Sequence, residues 1–423
     1  MSTQRQIVES TLARRYARES RFQWYGRISI LIGILFLGFL LVTTFLNGYK
    51  VLLQTYIQLE VDLTPAQFGG EITEESIAGA NYDGIIKSSL RAEFPDVSGR
   101  KNRRALYGLI SNGAKYDLRD MLIENPAMAG DIRPIWLLAD DEVDVFMKGR
   151  IDRNQPEANR RLKDNAIGWI DRFIEQGRVE KRFNVPFFTR GDSREPEQAG
   201  IFGAIMGSFF TIMVCMLLAV PIGVAAAVYL QELAPKNRIT DLIEVNINNL
   251  AAVPSIIFGL LGLAIFLNVF GLPRSVPLVG GMVLSLMTLP TIIISSRAAL
   301  AAVPPSIREA ALGVGASPIQ TVLHHVLPLA MPGMLTGAII GLAQALGETA
   351  PLLVIGMVAF IVDVPGGPMD PGTVLPVQIY LWSDSPERAF VERTSAAILV
   401  LLVFLVALNS FIVLLRRKLE RRW

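Results

Sequence analysis

Six stretches of this 423-residue chain are apolar for long enough to cross a bilayer: residues 28–46, 201–230, 250–270, 278–296, 334–360 and 396–415. About 20 apolar residues in a helix span the roughly 30 Å hydrocarbon core. Between the first and second stretches, residues 47–198 turn polar and mixed. There Ile57-Gln58-Leu59-Glu60-Val61-Asp62-Leu63 alternates as a half-buried strand does, whereas Leu106, Leu109 and Ile110, and later Ile167, Ile170, Phe173 and Ile174, recur at helical spacing. About 150 residues suffice for a folded domain. The pattern therefore predicts an all-α polytopic membrane protein of six transmembrane helices, with a small inserted α+β domain.

Charge orients the spans. Arg5, Arg14, Arg15, Arg18, Arg21 and Arg27 face only Glu9 and Glu19 in residues 1–27, which places that basic end in the cytoplasm. The run 28–46 has no small-residue cleavage site after it and reads as a retained helix rather than a signal peptide. Six spans return the end of the chain to the cytoplasm, in keeping with the basic tail 416–423, and residues 363–393, with five acids and two bases, suit the outside. By the same count the domain 47–198 is extracytoplasmic. Residues 199–415 form the main transmembrane domain, and the loop after the fourth span is cytoplasmic.

Composition agrees: 51% of residues are hydrophobic and mean hydropathy is +0.42, too apolar for a soluble protein of this size. The net charge of +2 gives no reason to expect nucleic acid, since the bases cluster at membrane flanks. Cys215 is the only cysteine and lies in the second span, so the inserted domain is not held by disulfides. Its acidic cluster Asp140, Asp141, Glu142 and Asp144 lacks the glycine and spacing of a calcium loop and reads as a solvated turn. Both histidines, His324 and His325, lie in the cytoplasmic loop, leaving the inserted domain without a histidine nucleophile pair or metal site. No Gly-rich phosphate loop of the Walker type is present, so the chain is not itself an ATPase.

The stretch from Pro304 to Pro351 is organised differently. Ser306-Ile307-Arg308-Glu309 has the form of a capping box, Gly313 and Gly315 allow a helix to end, and Ser317-Pro318-Ile319-Gln320 repeats the device before Leu327-Pro328 closes a second short helix. Two short helices around a glycine corner make a rigid knob at a membrane face. Glu309-Ala310-Ala311, Gly315 and, after a further gap, Leu327-Pro328 resemble the EAA loop of the membrane-spanning subunits of ATP-driven (ABC) importers, the binding-protein-dependent transport permeases; His325 stands where that family usually has an aliphatic residue. Gly347-Glu348-Thr349-Ala350-Pro351-Leu352 resembles the phosphate-permease branch called PstA, and Tyr229-Leu230-Gln231-Glu232 with Pro235-Lys236-Asn237-Arg238 fits the same branch. The resemblance covers about residues 200–415 and departs most at the long insertion.

It implies a type I ABC importer permease in a bacterial inner membrane, not an enzyme. Arg308, Glu309, Ala310, Ala311, Gly315, Leu327 and Pro328, within the loop 304–328, would couple it to a separate ATPase. It implies no cofactor in this chain, ATP and Mg being held by the partner. The implied partners are a homologous permease (PstC-like), two ATPase subunits (PstB-like), an external phosphate-binding protein (PstS-like), and phosphate as substrate within membrane lipid. A permease for another oxyanion or solute, and a membrane-anchored sensor with an outer ligand-binding domain, are the competing readings.

Polar groups inside spans are costly and mark a candidate path. Gln344 and Glu348, four residues apart, are expected on one face of the fifth helix with Thr349 beside them, and Gly337, Gly341 and Gly347 allow close packing. A bare carboxylate repels phosphate, so Glu348 is expected to carry a proton or to pair with a cation such as Arg297. In the PstA branch the position of Gln344 is often an arginine; its absence here leaves the partner permease to supply the cation. Thr288, Pro290 and Thr291, and Asn248, Asn249, Pro254 and Ser255, either line a polar path or satisfy backbone freed by proline.

Overall fold

The computed structural model describes residues 2–419. Five helices are long and apolar enough to cross a membrane, within Arg15–Leu52, Phe202–Leu233, Pro277–Ala301, Pro318–Gly347 and Ala389–Lys418; a bent pair brings the count to six. The helix Phe202–Val228 packs most extensively on Pro277–Ala301, which also packs on Leu327–Gly347, while the N-terminal helix Ser2–Gly48 lies along the last helix, Ala389–Leu419. Side chains at 28–46 are mostly exposed in the isolated chain, as lipid-facing apolar residues are. Close approach depends on glycine where helices and loops meet: a Cβ on Gly337 would collide with the Ser295 side chain, and one on Gly207 with the Thr373 carbonyl.

The bent pair corrects the third span. Arg238–Ala251 and Ser255–Val269 meet at 101°, so the apolar limb begins at Ser255 and Asn248 and Asn249 belong to the other limb. Pro254 at the joint has no N–H to continue the ladder and pushes Val253 out of helical conformation. The region 363–393 is likewise more than an outer loop. It contains the helix Leu375–Ser383, with Leu375, Val377, Gln378 and Trp382 buried, and Glu392 and Arg393 already belong to the last helix.

The inserted region folds as α+β around three antiparallel strands in the order β2-β1-β3: β1 Leu53–Asp62, β2 Ile132–Leu138 and β3 Val179–Phe183. The alternation read from sequence is the core face of β1. Ile57, Leu59 and Val61 are fully buried, with Leu59 opposite Ile135 and Ile57 opposite Leu137. Helices Tyr82–Glu93, Arg100–Tyr107, Ala114–Glu124 and Asp164–Glu175 supply the rest, including Leu106, Ile167, Ile170 and Phe173; Ile174, expected inside, is exposed.

The acidic cluster is not a solvated turn. Asp140 caps the helix Asp141–Met147, accepting from the Glu142 N–H at 3.2 Å. Asp144 is 4% exposed; it accepts from the Thr55 N–H and hydroxyl at 2.9 and 2.8 Å and sits 2.6 Å from Lys148 Nζ. Lys148 also lies 3.3 Å from Glu392, whose other oxygen is 2.8 Å from Arg150 Nε, so the cluster joins the domain to the last helix. Sequence spacing alone suggested exposure because the balancing cations are distant or on the next turn. Burial, with Asp141 and Glu197 close by, pushes the Asp140 carboxyl up to about 9.

Glu197, just before the second span, receives the Ser111 hydroxyl hydrogen bond, and burial pushes its carboxyl from 4.5 up to about 7. From 4.5 upward the unfolded chain has lost this proton while the folded chain keeps it, so stability falls as pH rises towards 7, by about 3 kcal/mol. Glu197→Gln should remove that share. Between about pH 5 and about pH 8 the melting temperature of the purified chain should drop less in the variant than in the wild type. Equal drops would show that Glu197 is not held in its protonated form.

Candidate functional site

The cap of the loop helix lies two residues earlier than its sequence signal. The helix Pro305–Gly313 has Pro304 as its N-cap with no side-chain cap, so Ser306 sits inside the first turn and the Ser306–Glu309 capping box does not form. Pro305 supplies the start instead, its fixed φ already helical. The end matches the glycine signal closely. Gly315 has φ +92°; its N–H donates to Leu312 O at 3.0 Å, and the Ala316 N–H donates to Ala311 O at 3.1 Å. This is the Schellman arrangement with glycine in the left-handed position.

Ser317 then caps Pro318–Thr321, its hydroxyl accepting from Gln320 N–H at 3.3 Å while Gln320 Oε1 accepts from Ser317 N–H at 2.9 Å. Leu327-Pro328 does not close this segment. A wide turn, Val322–Val326, leads directly into the helix Leu327–Gly347. Pro328 has no N–H for His324 O, and widening the turn accommodates the missing bond without stopping the helix.

Arg308 carries the strongest interaction. Its Nε and Nη2 donate to the two carboxylate oxygens of Glu232 at 2.9 and 2.7 Å, while Nη1 donates to Val303 O at 2.7 Å and Nη2 to Leu300 O at 2.9 Å. Glu232 lies in the turn Tyr229–Leu233 that ends the second span, and Leu300 lies in the last turn of the fourth-span helix. One guanidinium therefore joins the loop helix to the ends of two spans. Glu232 was visible in the sequence only as part of a family-like run. The available signal was an acid closing an apolar span and a base in a loop at the same membrane face.

Ala311 is buried, and Ile307 and Leu327 pack on the cluster of Val303, Val326 and Ala330. Glu309 and Ala310 are exposed, as are Leu312, Val314 and Ile319, Val314 at 86%. Gly315 has open space around it. The outer face of the knob is thus apolar with a single carboxylate, and no described residue of the chain covers it.

The polar residues of the spans are arranged differently from the sequence expectation. Leu327–Gly347 ends at Gly347, and Glu348 is extended at φ −84°, ψ 115°, followed by the short helix Ala350–Val354, at whose N-cap position Thr349 makes no side-chain cap. Gln344 and Glu348 therefore do not share a helical face. Gln344 is exposed, and its Oε1 accepts from the Thr291 hydroxyl at 3.3 Å; Glu348 and Thr349 are half-buried at the break. Gly347 ends the helix and packs against nothing.

Arg297 does not pair with Glu348. Its Nη2 donates to Glu244 at 2.7 Å, on the helix Arg238–Ala251. The reason is antiparallel register. Gly333 faces Ala299, Gly337 faces Ser295 and Gly341 faces Ile292, which puts Arg297 roughly 20 Å along the axis from Glu348 at 1.5 Å per residue.

A family model described as "Binding-protein-dependent transport system inner membrane component" matches residues 219–423, and a "Domain of unknown function (DUF3333)" matches residues 9–157. The chain is 32% identical over 231 residues to the phosphate transport system permease protein PstA 1 of Mycobacterium tuberculosis (strain CDC 1551 / Oshkosh), covering 54% of this chain and 74% of that protein. The chain belongs to the binding-protein-dependent transport permeases. PstA of Haemophilus influenzae is 29% identical, with 54% and 79% covered. The probable ABC transporter permease YqgI of Bacillus subtilis is 33% identical over 187 residues, with 44% of this chain and 63% of that protein covered. One solved structure, of the inward-facing MetNI methionine ABC transporter, aligns at 24% identity and TM-score 0.40 over 52% of this chain and 95% of that one. As an ABC importer permease the chain is a membrane component and not an enzyme. The second family match covers most of the inserted region together with the helix before it.

The clamp has a direct thermodynamic consequence. Arg308 and Glu232 side chains are 23% and 8% exposed, so Arg308→Ala leaves a nearly buried carboxylate unpaired and removes a donor from the Leu300 and Val303 carbonyls. A loss of about 3 kcal/mol is expected, with a lower melting temperature for the purified permease. Adding Glu232→Gln should restore part of it, because the uncompensated charge is gone. If the single and double variants melt alike, the buried charge is not the cause.

Proposed function

We propose that this permease forms one half of the membrane path of a phosphate importer. It would pair with a homologous permease (PstC-like), two ATPase subunits (PstB-like) that hold ATP and Mg, and an external phosphate-binding protein (PstS-like). The observation that carries the reading is the Arg308 clamp beneath an uncovered knob. Glu309, Ala310, Ala311, Gly315 and the Leu327-Pro328 entry form a rigid unit whose displacement is passed to the second and fourth spans. ATP-driven closure of the ATPases would push this unit and alternate the access of the path. Phosphate as the cargo is supported by the relatives named as phosphate permeases, matched over the permease half.

In this reading the path runs past Thr291 and Gln344 towards Glu348 and Thr349, with Arg297 held by Glu244 nearer the inner face. The basic ends 1–27 and 416–423 lie in the cytoplasm and the inserted domain lies outside.

Two experiments test the reading. Gly315→Asp places a side chain at φ +92°, costing about 1–2 kcal/mol at the corner and adding a charge to the apolar knob. Because the space is open, the variant should insert and pair with its partner permease, yet lose stimulation of the ATPase. Wild-type stimulation would remove the coupling role. The complex in vesicles should also accumulate radiolabelled phosphate on ATP addition, with sulfate failing to compete. Uptake of a different solute in place of phosphate would make this a permease of another specificity.

A further inference from the structure

We propose that the cleft between the helices Tyr82–Glu93 and Arg100–Tyr107 of the inserted domain binds a small dianionic oxyanion, inorganic phosphate being the probe of choice. The anion class follows from the cleft itself; the choice of phosphate within it rests on the importer reading. The cavity measures about 320 Å³, the lower end of the range for small-molecule sites. Its walls mix apolar side chains, Ile86, Leu90 and Ile110, with the charged Lys87, Arg104 and Lys115, and the charged groups suit a polar ligand.

The charges sort by their partners. Lys87 lies 2.6 Å from Asp83, one turn away, and 5.6 Å over the Tyr107 ring, so this pair cancels. Arg104 and Lys115 also line the cleft, and neither forms an ion pair among the described residues; Lys115 Nζ lies 5.0 Å from the Tyr116 ring, within the reach of a flexible side chain. The remaining carboxyl, Asp140, is pushed up to about 9 by burial beside other acids, which favours its protonated form. A protonated acid offers a donor where an ionised one would repel the ligand. Two uncompensated positive charges remain, matching the two negative charges of a dianion.

Position gives the site a use. A second, wider cleft of about 620 Å³ shares Asn112 and Lys115 with the first and is bordered by Arg190 and by Val362, Asp363 and Val364 of the permease half. An anion held between Arg104 and Lys115 would therefore be kept next to the permease half, where it would raise the local concentration of cargo.

The test is calorimetric titration of the full purified chain with inorganic phosphate, at constant ionic strength set by chloride. Saturable one-site binding is expected, displaced by sulfate as another tetrahedral dianion. Arg104→Ala with Lys115→Ala should weaken it by about tenfold or more, as loss of two charge-assisted contacts requires. Arg104 is exposed and Lys115 half-exposed, so an unchanged melting temperature verifies that the double variant is folded. No saturable binding to the wild type, displacement by chloride, or equal affinity in the double variant overturns the proposal. No ATPase is present in the titration, so the outcome separates from that of transport. A complex carrying a different solute would refute the cargo and leave this site standing, whereas a chain that fails to bind would remove the site and leave the importer.

Discussion

A guanidinium at the membrane face sets the mechanics of this permease. Three segments end within reach of Arg308: the second span at Glu232, the fourth span at Leu300, and the turn before the loop helix at Val303. Each brings an unmet demand. The Leu300 carbonyl, at the negative end of the helix dipole, accepts the Val303 N–H at 3.2 Å and has room for a second donor, and the Glu232 carboxylate is too buried to rely on water. Arginine can meet all of these together because its donors form a planar fork and it keeps its charge. Lysine would offer a single ammonium to the same set of acceptors. The loop helix therefore cannot shift relative to the two spans without breaking charged hydrogen bonds, so in the proposed function a push on the knob would move helices rather than deform a loop.

The inserted domain is held by a comparable but more distributed device. Glu392 and Arg393 begin the last helix inside the inserted domain, where Glu392 meets Lys148 and Arg150, while Gln54 of β1 donates to the Glu197 carbonyl just before the second span at 2.6 Å. Buried ion pairs of this kind contribute little net stability against apolar packing, but they are costly to separate. Their effect is to fix orientation. The inserted domain is therefore attached to the helix bundle at several points, and the clefts at its base keep a defined position relative to the permease half.

Much of this architecture was legible in the residues. Apolar run length gave the spans, and strict alternation gave the buried face of β1, because both signals are local and follow directly from helix rise and strand pleat. The Gly315 corner and the Ser317–Gln320 cap were also readable, since each is decided by a few adjacent residues. What escaped was decided by tertiary register. Ser306 and Glu309 satisfy the capping pattern, but Pro305 starts the helix earlier and moves them inside it. Arg297 and Glu348 are the obvious opposite charges of two neighbouring spans, yet the antiparallel alignment of Ser295 with Gly337 separates them along the axis. The acidic run 140–144 looked solvent-facing because the group that buries it, Lys148 with Glu392, joins positions 244 residues apart. Glu232 and Glu244 are likewise ordinary in sequence, each specific only through its arginine.

The separation of Arg297 from Glu348 bears on how half a path can serve an anion. Arg297 is neutralised by Glu244, and among the described residues Glu348 has no ion-pair partner while the exposed Gln344 is engaged only by Thr291. The central stretch of this half thus offers hydroxyls, an amide and a carboxyl, but no free cation. Polar groups of this type can replace part of a hydration shell, but alone they cannot offset the cost of bringing a dianion into a low-dielectric region. If phosphate is the cargo, positive charge must come from across the interface, from a partner whose corresponding helix carries a base where this chain has Gln344. Two identical copies would place two amides and two carboxyls around the ion. On electrostatic grounds the proposed path therefore favours a heteromeric pair of permeases over a homodimer.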